Sequence, residues 1–184
     1  MARAIFLDRD GTLNRDPGYV SNPDDVLLLP GVVPGLRQLK AAGFLLIVIT
    51  NQSGIGRGYY TLEDYFRVAA RLKELLCNEG IFLDDTFFCA HAPEAACACR
   101  KPGIQLIERA FLKWGIAREK SFMIGDKESD MQAGTNAGLR TLYVGTETGT
   151  YGQVADCATL EEAAHWILTR EPGQDNLCPP KDPA

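Results

Sequence analysis

The order of apolar segments predicts an α/β domain, with a mainly parallel sheet covered by helices on both faces. Three observations carry this reading. Short runs such as Ala4-Ile5-Phe6-Leu7 and Leu45-Leu46-Ile47-Val48-Ile49 are apolar without alternation, as in strands buried on both sides. Amphipathic stretches of helical spacing separate these runs. Glycines close most of those stretches, so each helix has a stop signal before the next strand.

Ala4–Leu7 is the first strand, and 34–42 is a helix carrying Leu36 and Leu39 before Gly43. Leu45–Ile49 is the second strand. Thr61 can cap a long helix that runs to Glu79, with Leu62, Leu72, Leu75 and Leu76 on it and Gly80 beyond. Thr86-Phe87-Phe88 is the third strand, followed by a helix over 104–113 that Gly115 closes. Ser121–Ile124 and Thr141–Val144 are the fourth and fifth strands, with a short helix over 129–137 between them. A last helix spans 160–168. Residues 1–170 form the predicted domain, and the proline-rich stretch 171–184, with Cys178, reads as a disordered tail.

The chain has 184 residues and 46% apolar content, enough for one domain burying about 70% of its unfolded surface. A formal charge of −5 with no basic stripe argues against a nucleic-acid partner. No apolar run approaches the roughly 20 residues that span a bilayer, and Met1-Ala2-Arg3 leads straight into a strand without a signal peptide. The expectation is a cytoplasmic monomer acting on a small molecule.

Polar groups gather where the strands end. Asp8-Arg9-Asp10-Gly11-Thr12 follows the first strand, and Thr50-Asn51-Gln52-Ser53-Gly54 follows the second. Arg100-Lys101 comes after the third, beyond a cysteine-rich loop, and Gly125-Asp126 after the fourth, with Asp130 four residues on. Strand ends are where open α/β sheets bind ligands. A carboxylate can attack a phosphate monoester only if the ester's charge is neutralised. Magnesium held by carboxylates, a lysine and a hydroxyl can do this, while a second carboxyl protonates the leaving alkoxide.

In order and placement these motifs resemble those of the haloacid dehalogenase superfamily, over about residues 3–145. The resemblance implies a Rossmann-like three-layer sandwich. It implies Asp8 as nucleophile and Asp10 as the acid that protonates the leaving oxygen and then the base that activates water. It implies Thr50 and Lys101 on the phosphoryl oxygens, and magnesium held by Asp8, the Asp10 backbone carbonyl and Asp126, with Asp130 in support. A dehalogenase would lack Asp10, so the expected chemistry is phosphoryl transfer.

Cys89-Ala90-His91 and Cys97-Ala98-Cys99 offer four soft ligands, a Cys3His set suited to a structural zinc. The alternative is free thiols, or a disulfide from Cys89 to Cys97 or Cys99. A zinc there would fix Lys101, two residues further on. Cys77 and Cys157 read as small core residues, His165 as non-catalytic, and Trp114 as packing.

The run from Cys89 to Pro102 is similar to the branch of the superfamily that holds heptose bisphosphate and histidinol-phosphate phosphatases. Asn51-Gln52-Ser53-Gly54-Ile55-Gly56-Arg57-Gly58-Tyr59 is similar to the heptose members. The implied substrate is D-glycero-D-manno-heptose 1,7-bisphosphate, cut at C7 on the way to nucleotide-activated heptose. Histidinol phosphate is the alternative. Asn51 and Arg100 then face the rest of the substrate, with Arg100 suited to its distal phosphate. Arg57 and Lys127 are equally compatible with substrate contact and with a surface role. Insertions over about 14–30, 52–61 and the zinc loop are too short for a cap domain, so these loops must supply specificity.

Overall fold

The computed structural model describes residues 1–146 and 149–170. The tail expected over 171–184, with Cys178, lies outside the described residues. Six strands form one sheet: β1 Ala4–Leu7, β2 Leu45–Asn51, β3 Asp85–Cys89, β4 Phe122–Gly125, β5 Arg140–Val144 and β6 Ala155–Cys157. Their order is β3-β2-β1-β4-β5-β6 and every pairing is parallel. The helices are α1 Val32–Ala41, α2 Ser53–Gly56, α3 Leu62–Asn78, α4 Gln105–Trp114, α5 Glu128–Asn136 and α6 Leu160–Thr169.

Side-chain alternation along the strands builds the three layers. Ile5 and Leu7 of β1 point into a core shared with α1, α3 and α6, through Leu36, Leu39, Val68, Leu72 and Ile167. Ala4 and Phe6 point the other way, into a core made with α4 and α5 through Ile107, Phe111 and Ala133. A strand buried on both faces needs apolar residues at successive positions, hence the unbroken runs in the sequence.

Thr61 caps α3 as expected: its hydroxyl accepts from the Asp64 amide at 3.1 Å, and the Asp64 carboxylate accepts from the Thr61 amide at 2.8 Å. Trp114 packs against the α4 side and donates to Asp85 at 2.9 Å, while His165 is exposed. Cys157 is buried as expected, but Cys77 is exposed. The buried residues of α3 are Tyr65, Val68, Leu72 and Leu76, and Cys77 sits one residue beyond that stripe, about 100° round the helix. Among the described residues, no helix is long and apolar enough to cross a membrane.

The strand order places the site. From β1 the chain steps outward through β2 and β3, then returns to β4 on the other side of β1. The carboxyl ends of β1 and β4 therefore flank a topological switch point, where such sheets open a crevice. The Asp8 amide donates to the Ile124 carbonyl at 3.0 Å, which locks the first motif to the end of β4.

Candidate active site

A cleft of about 350 Å³ opens at that switch point. Asp8, Asp10, Thr50, Asn51, Arg100, Lys101 and Asp130 line it, along with Lys127. At its centre the Lys101 ammonium lies 2.8 Å from Asp8 and 2.6 Å from Asp130, and donates to the Ile49 carbonyl at 2.7 Å. Burial alone would lower the pKa of Lys101, but Asp130 and Asp8 outweigh it and raise it. Burial is also the main influence on Asp8 and raises its pKa from 3.8 to about 7, against the pull of Lys101.

Asp126 faces this group from the end of β4. Its carboxylate accepts from the Thr12 hydroxyl at 3.0 Å and presses against the Gly11 backbone. A Cβ at Gly11 would stand 2.1 Å from Asp126 Oδ2, and the backbone there is left-handed, with φ +91°. Only glycine satisfies both conditions. Burial raises Asp126 to about 6, with Lys127 opposing it. Asp8, Asp126 and Asp130 each offer an oxygen within 4.8 Å of the others, a hard-oxygen set that fits a divalent cation. The Lys127 ammonium lies 3.9 Å from Asp126 and pairs with Asp16 at 2.9 Å.

Asp10 sits in a different environment from Asp8. The fork of Arg9 reaches it at 2.9 and 2.7 Å, Asn14 at 3.0 Å and Gln52 at 2.9 Å. Burial would raise its pKa, yet the guanidinium and these hydrogen bonds prevail and lower it. Gln52 is itself braced: it accepts from the Tyr60 hydroxyl at 2.7 Å and donates to the Thr50 hydroxyl at 2.7 Å. Because Thr50 Oγ1 accepts that bond, its own proton is free to point into the cleft. Arg9, Gln52 and Tyr60 were not among the expected site residues. The one local signal was a cation placed between two carboxylates.

Asn51 and Arg100 diverge from each other. The Asn51 side chain donates to the Lys101 carbonyl at 3.1 Å and accepts from the Lys101 amide at 2.9 Å, so both ends of it grip the lysine's backbone. Arg100 lines the cleft, and its buried Nη1 has no hydrogen-bond partner among the described residues. Arg57 is turned to the rim, 3.2 Å from Glu94.

Cys77, Cys89, Cys97 and Cys99 form no disulfide. Cys89, His91, Cys97 and Cys99 converge, with Cys89 Sγ 3.5 Å from His91 Nδ1, 3.5 Å from Cys97 Sγ and 3.2 Å from Cys99 Sγ. Cys99 Sγ also lies 3.3 Å from both Cys97 Sγ and His91 Nδ1. A tetrahedron with zinc–sulfur bonds of about 2.3 Å has edges of about 3.8 Å, so a four-ligand metal centre fits here with little adjustment.

A HAD-hydrolase-like family model matches residues 98–170. A D-glycero-beta-D-manno-heptose-1,7-bisphosphate 7-phosphatase of Helicobacter pylori strain J99 is 47% identical over 168 residues, covering 90% of this chain and 97% of its own. The same-named protein of strain 26695 is 52% identical over 139 residues, 75% of this chain and 80% of its own. The crystal structure of a D,D-heptose 1,7-bisphosphate phosphatase from B. bronchiseptica, complexed with magnesium and phosphate, superposes with a TM-score of 0.81 at 28% identity, covering 90% of this chain and 98% of that one. With a shared fold and near full-length identity of this order, the chain belongs to the heptose-bisphosphate phosphatase family of haloacid-dehalogenase-like hydrolases.

Proposed function

We propose that this chain is a magnesium-dependent phosphatase that removes the 7-phosphate of D-glycero-D-manno-heptose 1,7-bisphosphate. The observation that carries the chemistry is the buried Asp8–Lys101 pair, at 2.8 Å, facing a cleft on which Thr50 also converges. The substrate reading rests on the H. pylori relatives, whose names specify the β anomer and cleavage at C7.

Lys101 and the Thr50 hydroxyl hold the phosphoryl oxygens and offset their charge. An Asp8 oxygen attacks phosphorus, a bond forms between them, and the bond to the sugar oxygen breaks. Asp10 gives that oxygen its proton. Asp10 then takes a proton from water, which attacks the aspartyl-phosphate, frees inorganic phosphate and restores Asp8. The Arg9 fork holds Asp10 as the anion needed for the second half. For the first half it must carry a proton. Asp8, the Asp10 carbonyl and Asp126 are the magnesium ligands in this reading, and the ion would supply further neutralisation of the phosphate. Asp130 supports the site by fixing Lys101.

Arg100, with a buried and unpartnered donor, is placed to take the C1 phosphate. Asn51, expected to touch substrate, is instead assigned to positioning, since its amide is engaged on Lys101. The Cys3His cluster is assigned to zinc. A cytoplasmic, monomeric enzyme remains the expectation from composition.

The test is steady-state turnover with magnesium on heptose 1,7-bisphosphate (both anomers), histidinol phosphate and a 3′-phosphorylated oligonucleotide. The heptose substrate is expected to lead in kcat/KM by a large factor. A lead for histidinol phosphate or for the oligonucleotide overturns the reading.

A further inference from the structure

The active-site cleft opens at the carboxyl ends of the strands. At their amino ends, across the sheet from it, lies a second cavity of about 390 Å³. It gathers positive charge on a chain whose net charge is −5. Arg3, Lys120 and Arg140 line it, and Glu119 is the one acid among the described lining residues. Most of the described lysines and arginines face a carboxylate. These three form no ion pair among the described residues.

The sheet sets the arginines in place. Arg140 opens β5 in register with Phe122 of β4, and its guanidinium stacks on that ring at 4.2 Å. Ala4 is in register with Leu45, which puts Arg3 beside Phe44, and these two stack at 4.3 Å. The two rings meet edge to face, 6.2 Å between centroids, so one aromatic pair carries both guanidinium groups. Ile167 and Leu168 of α6 extend the apolar wall. Each stack contributes about 0.5–1 kcal/mol and fixes the plane of the cation, leaving N–H donors at its edge. Arg140 spends none of these donors on a described residue, and its Nε is buried without a partner. A buried donor left unpaired costs about 1–3 kcal/mol, more than the stack returns. Stability therefore does not account for this arginine.

We propose that this cavity is a second ligand site and that it takes a nucleotide, with a planar base on the apolar wall and a di- or triphosphate against Arg3, Lys120 and Arg140. Several cations without carboxylate partners match a ligand of several negative charges, and the guanidinium fork fits phosphate oxygens. Inorganic phosphate would use the charge and leave the aromatic wall wet. An uncharged ring would do the reverse. Only a ligand with both halves uses the whole lining, and the volume lies within the range of about 300–1,000 Å³ for small-molecule pockets. The site is separate from the phosphatase chemistry: Arg3 and Asp8 stand at opposite ends of β1, roughly 16 Å apart along the strand.

The experiment is isothermal titration calorimetry without magnesium, on wild type, R3Q and R140Q, with ADP, inorganic pyrophosphate and adenosine as probes. Methyl spectra of isoleucine- and leucine-labelled wild type locate the ligand through Ile167 and Leu168. ADP is expected to bind wild type at least about tenfold tighter than pyrophosphate or adenosine and to shift those two methyl signals. In R3Q and R140Q its affinity is expected to fall about tenfold, the loss of one charge-assisted contact. ADP no tighter than pyrophosphate overturns the base half of the assignment, and ADP no tighter than adenosine overturns the phosphate half. Binding that leaves Ile167 and Leu168 unmoved belongs elsewhere on the molecule and overturns the site. A cooperative unfolding transition verifies that each variant is folded, and the three-probe comparison and methyl shifts in wild type decide the matter without the variants.

Discussion

Lys101→Met deletes one charge while keeping most of the side chain's length, and the structure makes its consequence calculable. The ammonium lies between Asp8 and Asp130, and the side chains of all three are only 1–7% exposed. Without it, two nearly buried carboxylates face each other at the bottom of the cleft. Removing one partner of a buried ion pair costs about 3–5 kcal/mol, because the remaining charge is left uncompensated. At about 2–4 °C per kcal/mol for a chain of this size, 3 kcal/mol lowers Tm by about 6–12 °C. The cost must depend on pH. Asp8 already titrates at about 7 with the lysine present. In the variant Asp8 loses the pull of the lysine and takes a proton more readily still, so at pH 5.5 the repulsion between the two carboxyl groups is relieved. What remains there is the lost hydrogen bonding, about 1 kcal/mol. The assay is thermal and urea unfolding of wild type, K101M, D130N and the double variant at pH 8 and pH 5.5, without added magnesium. The loss in K101M is expected to shrink at pH 5.5, and D130N is expected to restore part of it at pH 8. A loss equal at both pH values, with no recovery from D130N, would refute charge compensation as the role of this lysine.

Three further outcomes follow from the same geometry. Gly11→Ala forces a Cβ into the Asp126 carboxylate at a left-handed position, and should cost at least 1–2 kcal/mol (order of magnitude) and more than tenfold in magnesium affinity, read from unfolding and from magnesium titration of activity. Metal analysis of the purified protein should find one zinc per chain, and C97S should lose it together with thermal stability. In the metal-free protein the raised Asp8 and Asp126, at about 7 and about 6 against an ordinary 3.8, bind more protons folded than unfolded between about pH 4 and 7. Stability therefore falls as pH rises through that window, and magnesium must displace those protons. The magnesium-induced rise in Tm should accordingly be larger at pH 8 than at pH 5.5 by scanning fluorimetry.

What could be read from sequence divides along physical lines. β1, β2, β4 and β5 are continuous apolar runs, a signal that double-sided burial imposes, and each lies within two residues of its expected place. β6 escaped because it is three residues with an exposed Asp156 in the middle, and α2 because two of its four residues are glycine. Asp8, Lys101 and Asp126 could be placed because strand ends converge in a parallel sheet. Arg9 looks like a surface cation in the sequence, and only the fold reveals that it is 2% exposed and holds Asp10. Pairings such as Tyr19 with Tyr59 or Asn51 with Lys101 join distant loop positions and have no periodic signature.

The cysteine loop explains how a lysine outside any strand is held to within 3 Å of two carboxylates. The segment from Ala90 to Arg100 is mostly small residues and contributes only Cys97 and Cys99 to the packing around the core. Ordering about ten such residues costs about 10–20 kcal/mol of backbone entropy. Binding of a structural zinc releases about 10–16 kcal/mol, the same order, so the proposed metal can offset the ordering of this loop without a core of its own. Its position is then transmitted through covalent and hydrogen bonds alone. Cys89 is the last residue of β3, in register with Asn51 of β2, and Cys99 stands two residues before Lys101. Asn51 grips the Lys101 backbone from the sheet side while the cluster holds it from the loop side. Two independent tethers hold the backbone of Lys101, and the Ile49 carbonyl, Asp8 and Asp130 hold its ammonium, which is what a cation that must meet a phosphate requires.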